Sequence, residues 1–270
     1  MYIDVVSMSG KITINVNSVW LLSNINDMER QIIVFIDSDY MRLITIFDNI
    51  GMSQKTWRPN AGNSNRVEGK YSWEMSNEFK HMIRVYAAVY NRMNITLDLD
   101  DDTVALDSHD VTTHGFRWKE HIEIDGDTTW ELDDNTVAVE MSFDWRDLEI
   151  ILKASEKLNV VQLQVGNDSN DVLWEGFDLE GVKCWAHQNQ RLNWKYGEAK
   201  TRFNPSILLR ILNTMEKPKT YGTNTKISIL KNKILMIESK DTIAYLSPVL
   251  EETQISSGEV NDVEDAPEVN

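Results

Sequence analysis

The chain has 270 residues, 41% of them hydrophobic, which is enough to build one large domain or two of ordinary size and argues against global disorder. Its formal net charge of −16 disfavours unspecific adhesion to nucleic acid, so any contact with DNA has to be local. A single cysteine, Cys184, excludes an internal disulfide, and neither a membrane-length apolar run nor a signal-peptide pattern is present. Together these features predict an intracellular protein.

Hydrophobic periodicity predicts two helices separated by strands in the first half of the chain. The helices are expected near Ser18–Met28 and Ser76–Arg92. Strands are expected at Ile12–Val16, Gln31–Asp37, Tyr40–Phe47, Tyr71–Glu74, Asn94–Asp98, Thr103–Leu106 and Val111–Ile124. The Asn- and Gly-rich stretch Arg58–Gly69 is predicted to be a loop, and the acidic segment Asp125–Asn135 a connector.

The second half repeats the same order. Helices are expected near Asp144–Leu158 and Pro205–Lys217. Strands are expected at Thr136–Phe143, Val160–Val165, Val172–Phe177, Lys226–Leu230, Lys233–Glu238 and Thr242–Leu246. The pattern predicts an α+β protein with domains at 1–124 and 136–252, a connector at 125–135 and a disordered acidic tail at 253–270. Each short helix has to pack its apolar stripe on a sheet, which leaves the opposite helix face free.

Three of the four predicted helices carry cations opposite their apolar stripe. At 100° per residue these cations cluster within each helix. They are Lys80 and Arg84; Arg146, Lys153 and Lys157; and Arg210 and Lys217. The first helix differs, because its outer face carries Trp20, Asn24 and Asp27. Cations repeated on helices of so acidic a chain indicate a surface that faces nucleic acid, while the alternative is an ordinary solvated helix face.

The arrangement resembles a DNA sliding clamp of the proliferating cell nuclear antigen type. Ile36–Leu43 (IDSDYMRL) resembles the family's Met-Asp-Ser-Ser-His-Val-Ser-Leu turn, and Ala244–Glu252 (AYLSPVLEE) resembles its C-terminal Tyr-Tyr-Leu-Ala-Pro-Lys-Ile-Glu-Glu. Glu78–Leu106 and Val137–Val165 resemble the second helix with its hairpin and the opening of the second domain. The layout matches over about residues 10–252, with departures at residues 1–9, 58–69 and 178–202.

The resemblance implies the DNA-clamp fold and a non-enzymatic polymerase processivity factor. Three two-domain chains would form a ring whose helices surround duplex DNA without reading its sequence. The implied partners are DNA polymerase, a clamp-loader ATPase and other replication and repair proteins, and no cofactor or metal is implied. The protein would act at replication sites, in the nucleus if eukaryotic and in the host cytoplasm if viral or phage. A monomeric or dimeric viral factor of the same fold and a subunit of a mixed checkpoint ring stay open as alternatives.

The family binds short apolar and aromatic peptides in a pocket between the connector and the C-terminal segment. Transferred residue by residue, the candidates are Ile36, Tyr40, Trp130, Leu132, Tyr245, Ser247 and Pro248. Trp130 and Leu132 also stand out without the resemblance, because they are apolar residues in a polar, acidic segment. The alternative for these two is that they pin the connector to the sheet.

Catalytic and metal-binding functions find weaker support in the sequence. Asp98 and Asp100–Asp102 could bind a divalent cation, but they also suit a hairpin turn between two strands. Cys184 and His187 are zinc-ligand types without a second pair, and no phosphate-binding loop or nucleophile motif is present. The strands Asn170–Phe177 and Thr103–Asp107 are the expected free sheet edges through which copies would pair.

Overall fold

A computed structural model describes most of the chain. The described residues are 10–36, 40–58, 69–108, 117–126, 136–166, 171–178, 180–190, 192–195, 198–215 and 224–249. The predicted tail, most of the predicted connector and most of the loop 58–69 lie outside this part of the chain.

The first half contains two helices, α1 (Ser18–Asn24) and α2 (Asn77–Val89). Its strands are β1 (Lys11–Asn17), β2 (Arg30–Ile36), β3 (Tyr40–Phe47), β4 (Gly51–Trp57), β5 (Lys70–Glu74), β6 (Arg92–Asp98), β7 (Thr103–Ser108), β8 (Arg117–His121) and β9 (Asp125–Gly126).

The second half contains α3 (Trp145–Ser155) and α4 (Pro205–Thr214). Its strands are β10 (Val137–Asp144), β11 (Val160–Val165), β12 (Asp171–Phe177), β13 (Lys183–Gln190), β14 (Leu192–Lys195), β15 (Ala199–Phe203), β16 (Asn224–Leu230), β17 (Leu235–Ser239) and β18 (Thr242–Leu246).

The predicted α+β class is confirmed, with four differences in the elements. All four helices are shorter than predicted. Strand β4 is present in the structure but was not predicted. Within Val111–Ile124 the structure places a strand only at Arg117–His121, and residues 109–116 lie outside the description. The segment 178–202, for which no structure was predicted, holds β13, β14 and most of β15.

The two halves share one topology. In the first half β1, β6, β7 and β8 form one antiparallel sheet, and β4, β3, β2 and β5 are consecutive neighbours in another. In the second half β10, β16, β17 and β18 match the former set, and β13, β12, β11 and β15 match the latter. The segments that follow the last strand of each half also correspond. After β8, β9 pairs with β5. After β18, Val249 N–H donates to the Arg202 carbonyl in β15 at 2.8 Å. This internal repeat supports a boundary between halves in 125–135, which stays a proposal.

The halves are joined by one pair of antiparallel strands, β4 and β18, with Gly51 opposite Leu246 and Lys55 opposite Thr242. The joint produces a ten-stranded sheet across the chain. Helix α4 lies over it, since a Cβ on Gly51 would come within 2.9 Å of Ile207 Cγ2 and 3.0 Å of Ile211 Cδ1. Phe47 of the first half is accordingly buried in the core of the second. Glycine at this position therefore lets a helix of one half pack on a strand of the other.

The strands that end the sheets differ from those predicted. Among the described strands, β8 is the last of the first four-stranded sheet and β13 the first of the other. The predicted edges Thr103–Asp107 and Asn170–Phe177 are wrong, because β7 and β12 each pair on both sides. In the internal repeat β8 corresponds to β18 and β13 corresponds to β4. The two edges thus match the two strands that pair inside the chain.

Candidate nucleic-acid interface and partner groove

The helix faces are set by N-caps and by burial. The side chains of Asn17, Ser76, Asp144 and Asn204 accept hydrogen bonds from the first-turn N–H groups of α1 to α4 in turn. In the longer helices every third or fourth residue is buried, such as Phe79 and Ile83 in α2 and Leu148 and Leu152 in α3. One face of each helix therefore packs on its sheet and the opposite face is available to other molecules.

The cations predicted on α3 lie on its outward face. Arg146, Lys153 and Lys157 are all exposed, with Lys157 in the turn that follows the helix. Lys153 Nζ lies 2.9 Å from Glu149 Oε1, an exposed i,i+4 pair worth a few tenths of a kcal/mol. Arg146 and Lys157 have no carboxylate partner within the described chain. This group, the α3 cations, is the positive surface on which phosphates could bind.

Lys80 does not belong to an outward face, and its assignment to the DNA-facing set is corrected. Its residue is only 4% exposed, and its Nζ donates to the carbonyls of Asn26 and Glu29, each at 2.9 Å. Burial lowers the pKa of this ammonium below its usual range. The helical wheel placed Lys80 correctly relative to Phe79, but it could not show that another segment folds over it.

Arg84 and Arg210 are engaged by carboxylates. Arg84 Nη2 lies 2.6 Å from Asp27 Oδ1. Arg210 Nε donates to Glu29 Oε1 at 2.9 Å and its Nη1 to Asp48 Oδ2 at 2.8 Å, and hydrogen bonding with Glu29 raises the pKa of the guanidinium. Lys217 lies outside the described residues. The second and fourth helices therefore offer less free positive charge than their sequences indicate.

The segment Ile25–Glu29, between α1 and β2, was predicted up to Met28 as the end of the first helix, which is wrong because α1 ends at Asn24. Its contacts with other helices were not predicted. Its backbone accepts from Lys80, Asp27 binds Arg84, and Glu29 binds Arg210 of the other half. The two acidic residues were visible in the sequence, yet no local pattern showed which cations they would meet. The segment neutralises charge on α2 and α4 and links α4 to the first half.

The helix face of the first half is largely apolar. Val19 and Leu22 of α1 and Val85, Ala88 and Val89 of α2 are exposed. The two helices contact each other, and Ser18 N–H at the start of α1 donates to the Asn91 carbonyl just beyond α2 at 3.0 Å. The positive charge of the helix faces is thus concentrated on the second half.

On the opposite side of the ten-stranded sheet, a groove of about 290 Å³ lies at the joint of the two halves. Tyr245 and Ser247 line one side, and Ser247 N–H donates to the Ile50 carbonyl at 2.8 Å. The other lining residues are Arg30, Ile46, Asn49, Ile50, Gly51, Met52 and Ile234. We name it the junction groove; its apolar lining with a few polar groups suits a short apolar peptide.

The seven residues predicted for the partner pocket do not all converge on this groove. Tyr245 and Ser247 line it, and Pro248 follows directly. Ile36 and Tyr40 pair with each other at the far end of β2 and β3, six residues and about 20 Å from Ile46. The segment that resembles the family's turn joins β2 to β3, whereas the turn beside Tyr245 joins β3 to β4. Ile46 and Met52 therefore lie where Ile36 and Tyr40 were predicted to lie. Trp130 and Leu132 lie outside the described residues.

Two of the carboxylates considered for metal binding are bound by lysines. Asp98 Oδ2 lies 2.7 Å from Lys11 Nζ, whose hydrogen bond lowers the pKa of that carboxyl, and Asp101 Oδ2 lies 3.2 Å from Lys119 Nζ. No group of three or more His, Cys, Asp or Glu side chains suited to a metal ion occurs within the described ranges. The Asp98–Asp102 stretch therefore forms a hairpin turn with lysine partners.

Solved bacterial clamp structures are similar to this chain. The DNA polymerase sliding clamp of Pseudomonas aeruginosa matches with a TM-score of 0.62 at 10% identity, over 88% of this chain and 67% of that one. The Bacillus subtilis clamp matches with a TM-score of 0.62 at 11% identity, over 93% of this chain and 67% of that one. The beta subunit from DNA polymerase of Streptococcus pyogenes matches with a TM-score of 0.62 at 14% identity, over 87% of this chain and 65% of that one. The chain spans about two thirds of the length of these structures.

No family model matches the sequence, and no curated protein matches it significantly. The structural likeness nevertheless shows that the chain has the DNA sliding-clamp fold, as the resemblance implied. Within the part of the chain that the structure describes, no helix is long and apolar enough to cross a membrane.

Proposed function

We propose that the protein is a DNA polymerase processivity factor that acts as a sliding clamp at sites of replication. Three copies would close a ring around duplex DNA, with the α3 cations toward the DNA and the junction groove on the outside for polymerase and clamp-loader peptides. The role is that of a scaffold and not of an enzyme. The observation that carries the proposal is the internal repeat. Strands β4 and β18 pair at its joint, and the strands that correspond to them in the other half, β13 and β8, lie at the ends of their sheets.

The ring follows from repeating the internal joint between copies. If β8 of one copy pairs with β13 of the next as β18 pairs with β4, each copy adds two similar halves by a head-to-tail contact. Such a contact also satisfies edge backbone groups that would otherwise promote aggregation. Light scattering on the purified protein tests this directly: we expect the mass of three chains, and a monomeric mass at micromolar concentration contradicts a self-assembling ring.

Duplex DNA would be held through phosphates by the α3 cations. Three contacts per copy predict a slope of log affinity against log salt of about −2.7 per copy engaged, because each phosphate contact contributes about −0.9. Phosphate contacts carry no base information, so a clamp of this kind can slide.

Removing the charge of Arg146, Lys153 and Lys157 together by substitution with Gln should lower primer-extension processivity and flatten its salt dependence. The matched control is Lys200→Gln with Lys231→Gln, which removes exposed charge from β15 and from the turn after β16. Wild-type processivity of the α3 variant at every salt concentration contradicts DNA binding at this face.

Partner peptides would place apolar side chains in the junction groove. Anchors of this kind commonly contribute about 2 kcal/mol or more each. Met52→Ala with Tyr245→Ala should therefore weaken polymerase-peptide binding at least tenfold in calorimetry while the mass of the assembly stays unchanged. The control is Ile36→Ala with Tyr40→Ala at the far end of the same face. If the control weakens binding and the groove variant does not, the pocket lies where the sequence resemblance placed it.

One observation favours the alternative of a non-ring factor or a subunit of a mixed ring. The helix face of the first half offers Val19, Leu22, Val85 and Val89 in place of free cations. An open assembly in which only the second half faces DNA accounts for that asymmetry, and the light-scattering mass distinguishes it from a homotrimer.

A further inference from the structure

Val249, the last described residue, is held at the edge of the second half. Its N–H donates to the Arg202 carbonyl in β15 at 2.8 Å, and Ser247 N–H donates to the Ile50 carbonyl at the same distance. These two hydrogen bonds fix the position from which the chain continues into residues 250–270. That position adjoins β15, which pairs with β11, the strand that follows α3.

The charged residues that follow Val249 are all acidic. Residues 251–268, which we name the acidic segment, lie outside the described residues and contain no Lys, Arg or His. The α3 cations have the opposite charge, and two of them, Arg146 and Lys157, have no carboxylate partner among the described residues. The acidic segment and the α3 cations are therefore complementary in charge. The carboxylates of the segment belong to Glu251, Glu252, Glu259, Asp262, Glu264, Asp265 and Glu268.

Lys157 lies within reach of the acidic segment. Phe203, which follows the partner of Val249 in β15, pairs with Val161 of β11. Because neighbouring strands lie about 5 Å apart and one residue spans at most about 3.6 Å, this path places Val249 less than about 30 Å from Lys157. The chain from Val249 to Glu259 can span up to about 35 Å. The first carboxylate of the central cluster can therefore contact Lys157.

The rest of the α3 face is also within reach. Arg146 lies at the other end of α3, about 17 Å from Lys157 at the helical rise of about 1.5 Å per residue. The chain from Val249 to Asp265 can span up to about 55 Å, which exceeds the two distances together. The acidic segment is thus long enough to contact all of the α3 cations at once.

Covalent attachment makes weak contacts between the segment and α3 effective. Single exposed ion pairs are weak. A segment of the same chain, however, acts on α3 at an effective concentration of about a millimolar, so that several such contacts together can occupy the face in low salt. Duplex DNA has a denser negative charge and releases counterions when it binds, so it can displace the segment.

We propose that the acidic segment binds the α3 cations in the absence of DNA and competes with duplex DNA for them. The inference rests on the proposed function of α3 as the DNA-facing helix. The segment would suppress weak contacts with nucleic acid, and α3 would become free when an enclosed duplex displaces it.

A zero-length carbodiimide, which joins a carboxylate to a lysine amine in contact with it, tests the position of the segment without DNA. In the full chain at low salt, mass spectrometry should find the acidic segment joined to Lys153 or Lys157. Excess duplex DNA or about 0.5 M salt should remove these links. The control is a link between Lys226 and Glu238, whose Nζ and Oε2 lie 2.6 Å apart, and it should persist when DNA is added.

Competition is tested by the affinity for a labelled duplex, measured by fluorescence anisotropy in low salt. A segment variant with four neutralised carboxylates should bind about three- to tenfold more tightly than the wild type. A control variant, which neutralises four exposed carboxylates elsewhere, should differ from the wild type by less than about twofold. The segment variant carries Glu259→Gln, Asp262→Asn, Glu264→Gln and Asp265→Asn, and the control carries Asp100→Asn, Asp102→Asn, Glu180→Gln and Glu198→Gln.

Combining the segment variant with the α3 variant completes the experiment. With Arg146, Lys153 and Lys157 already replaced by Gln, neutralising the segment should change the affinity no more than the control does. Equal gains in the segment and control variants indicate general charge repulsion and overturn the proposal, as does the absence of links to Lys153 and Lys157. If none of the proteins binds the duplex, the proposed DNA function is wrong and the competition is wrong with it.

Discussion

Replacing Arg210 by Ala tests whether this residue joins the two halves or binds DNA. Arg210, on α4 of the second half, binds Glu29 and Asp48 of the first. Its guanidinium also lies over the Phe47 ring, 5.6 Å from the centroid. Removing it leaves the Glu29 carboxylate, whose side chain is 6% exposed, without its guanidinium partner.

The expected cost follows from the exposure of the three side chains. Breaking a fully buried ion pair by removing one partner costs about 3–5 kcal/mol, and an exposed pair contributes about 0–1 kcal/mol. Because Arg210 is 36% exposed and Asp48 60%, the loss should lie between these limits, at about 2–3 kcal/mol, most of it from Glu29. For a protein of this size the melting temperature should fall by roughly 5–10 °C.

Urea denaturation of Arg210→Ala, Glu29→Gln and the double variant measures this cost and the coupling between the two residues. We expect a coupling energy of about 1–2 kcal/mol, because either single change already breaks the pair. The control Arg146→Ala, at an exposed cation without a described partner, should change stability by less than about 0.5 kcal/mol. If Arg210→Ala is equally harmless and lowers DNA affinity as much as Arg146→Ala does, Arg210 is a DNA ligand and the reasoning is refuted.

Three further changes probe the joint, the half-buried Glu120 and the first core. Gly51→Ala should destabilise the protein by about 1–3 kcal/mol, because the added Cβ would crowd Ile207 and Ile211. Urea denaturation measures this loss. An unchanged urea midpoint would show that α4 does not pack closely on β4. Burial raises the pKa of Glu120, so the contribution of this residue to stability should fall as pH rises above about 4.5. Glu120→Gln should therefore gain stability relative to the wild type between pH 4 and pH 7, and parallel pH profiles would contradict a desolvated carboxylate. Tyr86→Phe should lower the free energy of unfolding by about 1–2 kcal/mol, because the buried hydroxyl donates to the Leu106 carbonyl at 2.9 Å. This loss should be constant up to about pH 10, because burial raises the pKa of Tyr86 to about 12. A variant as stable as the wild type would exclude this hydrogen bond.

Elements with strong local patterns were predictable from the sequence. β3, β11 and β18 agree with their predicted bounds because apolar or alternating side chains define both strand ends. β4 (GMSQKTW) was missed because its central residues are polar and its burial depends on β18 and α4, which follow almost 200 and more than 150 residues later. Such long-range packing leaves no periodic signal in a strand.

The missed strand also explains the misplaced pocket residues. The segment Ile36–Leu43 resembles the clamp turn in its letters, but in the fold it joins β2 to β3. The topology places the β3–β4 turn, with Ile50, beside Tyr245. Local similarity therefore identified the C-terminal side of the groove and not its other side.

The cations on the helices were also predictable only as far as local sequence patterns reach. Helical spacing predicted the outward position of Arg146, Lys153 and Lys157, all of which lie on or directly after one helix. Lys80 and Arg210 instead depend on Ile25–Glu29, whose path over α2 and toward α4 is a tertiary contact. Helical spacing thus predicts which side chains leave the sheet and cannot predict which of them meet another segment.

The most direct test of the clamp is a cross-link between copies through the native Cys184, which is exposed in β13. If β13 pairs with β8 of the next copy as β4 pairs with β18, the start of β13 lies opposite the end of β8. His121→Cys in that strand should then form an intermolecular disulfide under mild oxidation, and Cys184→Ser in the same background should abolish it. A denaturing gel without reductant should show a closed species of three times the 31.2 kDa chain. Uncross-linked chains, or an open ladder that continues beyond three, would contradict a closed ring of three copies.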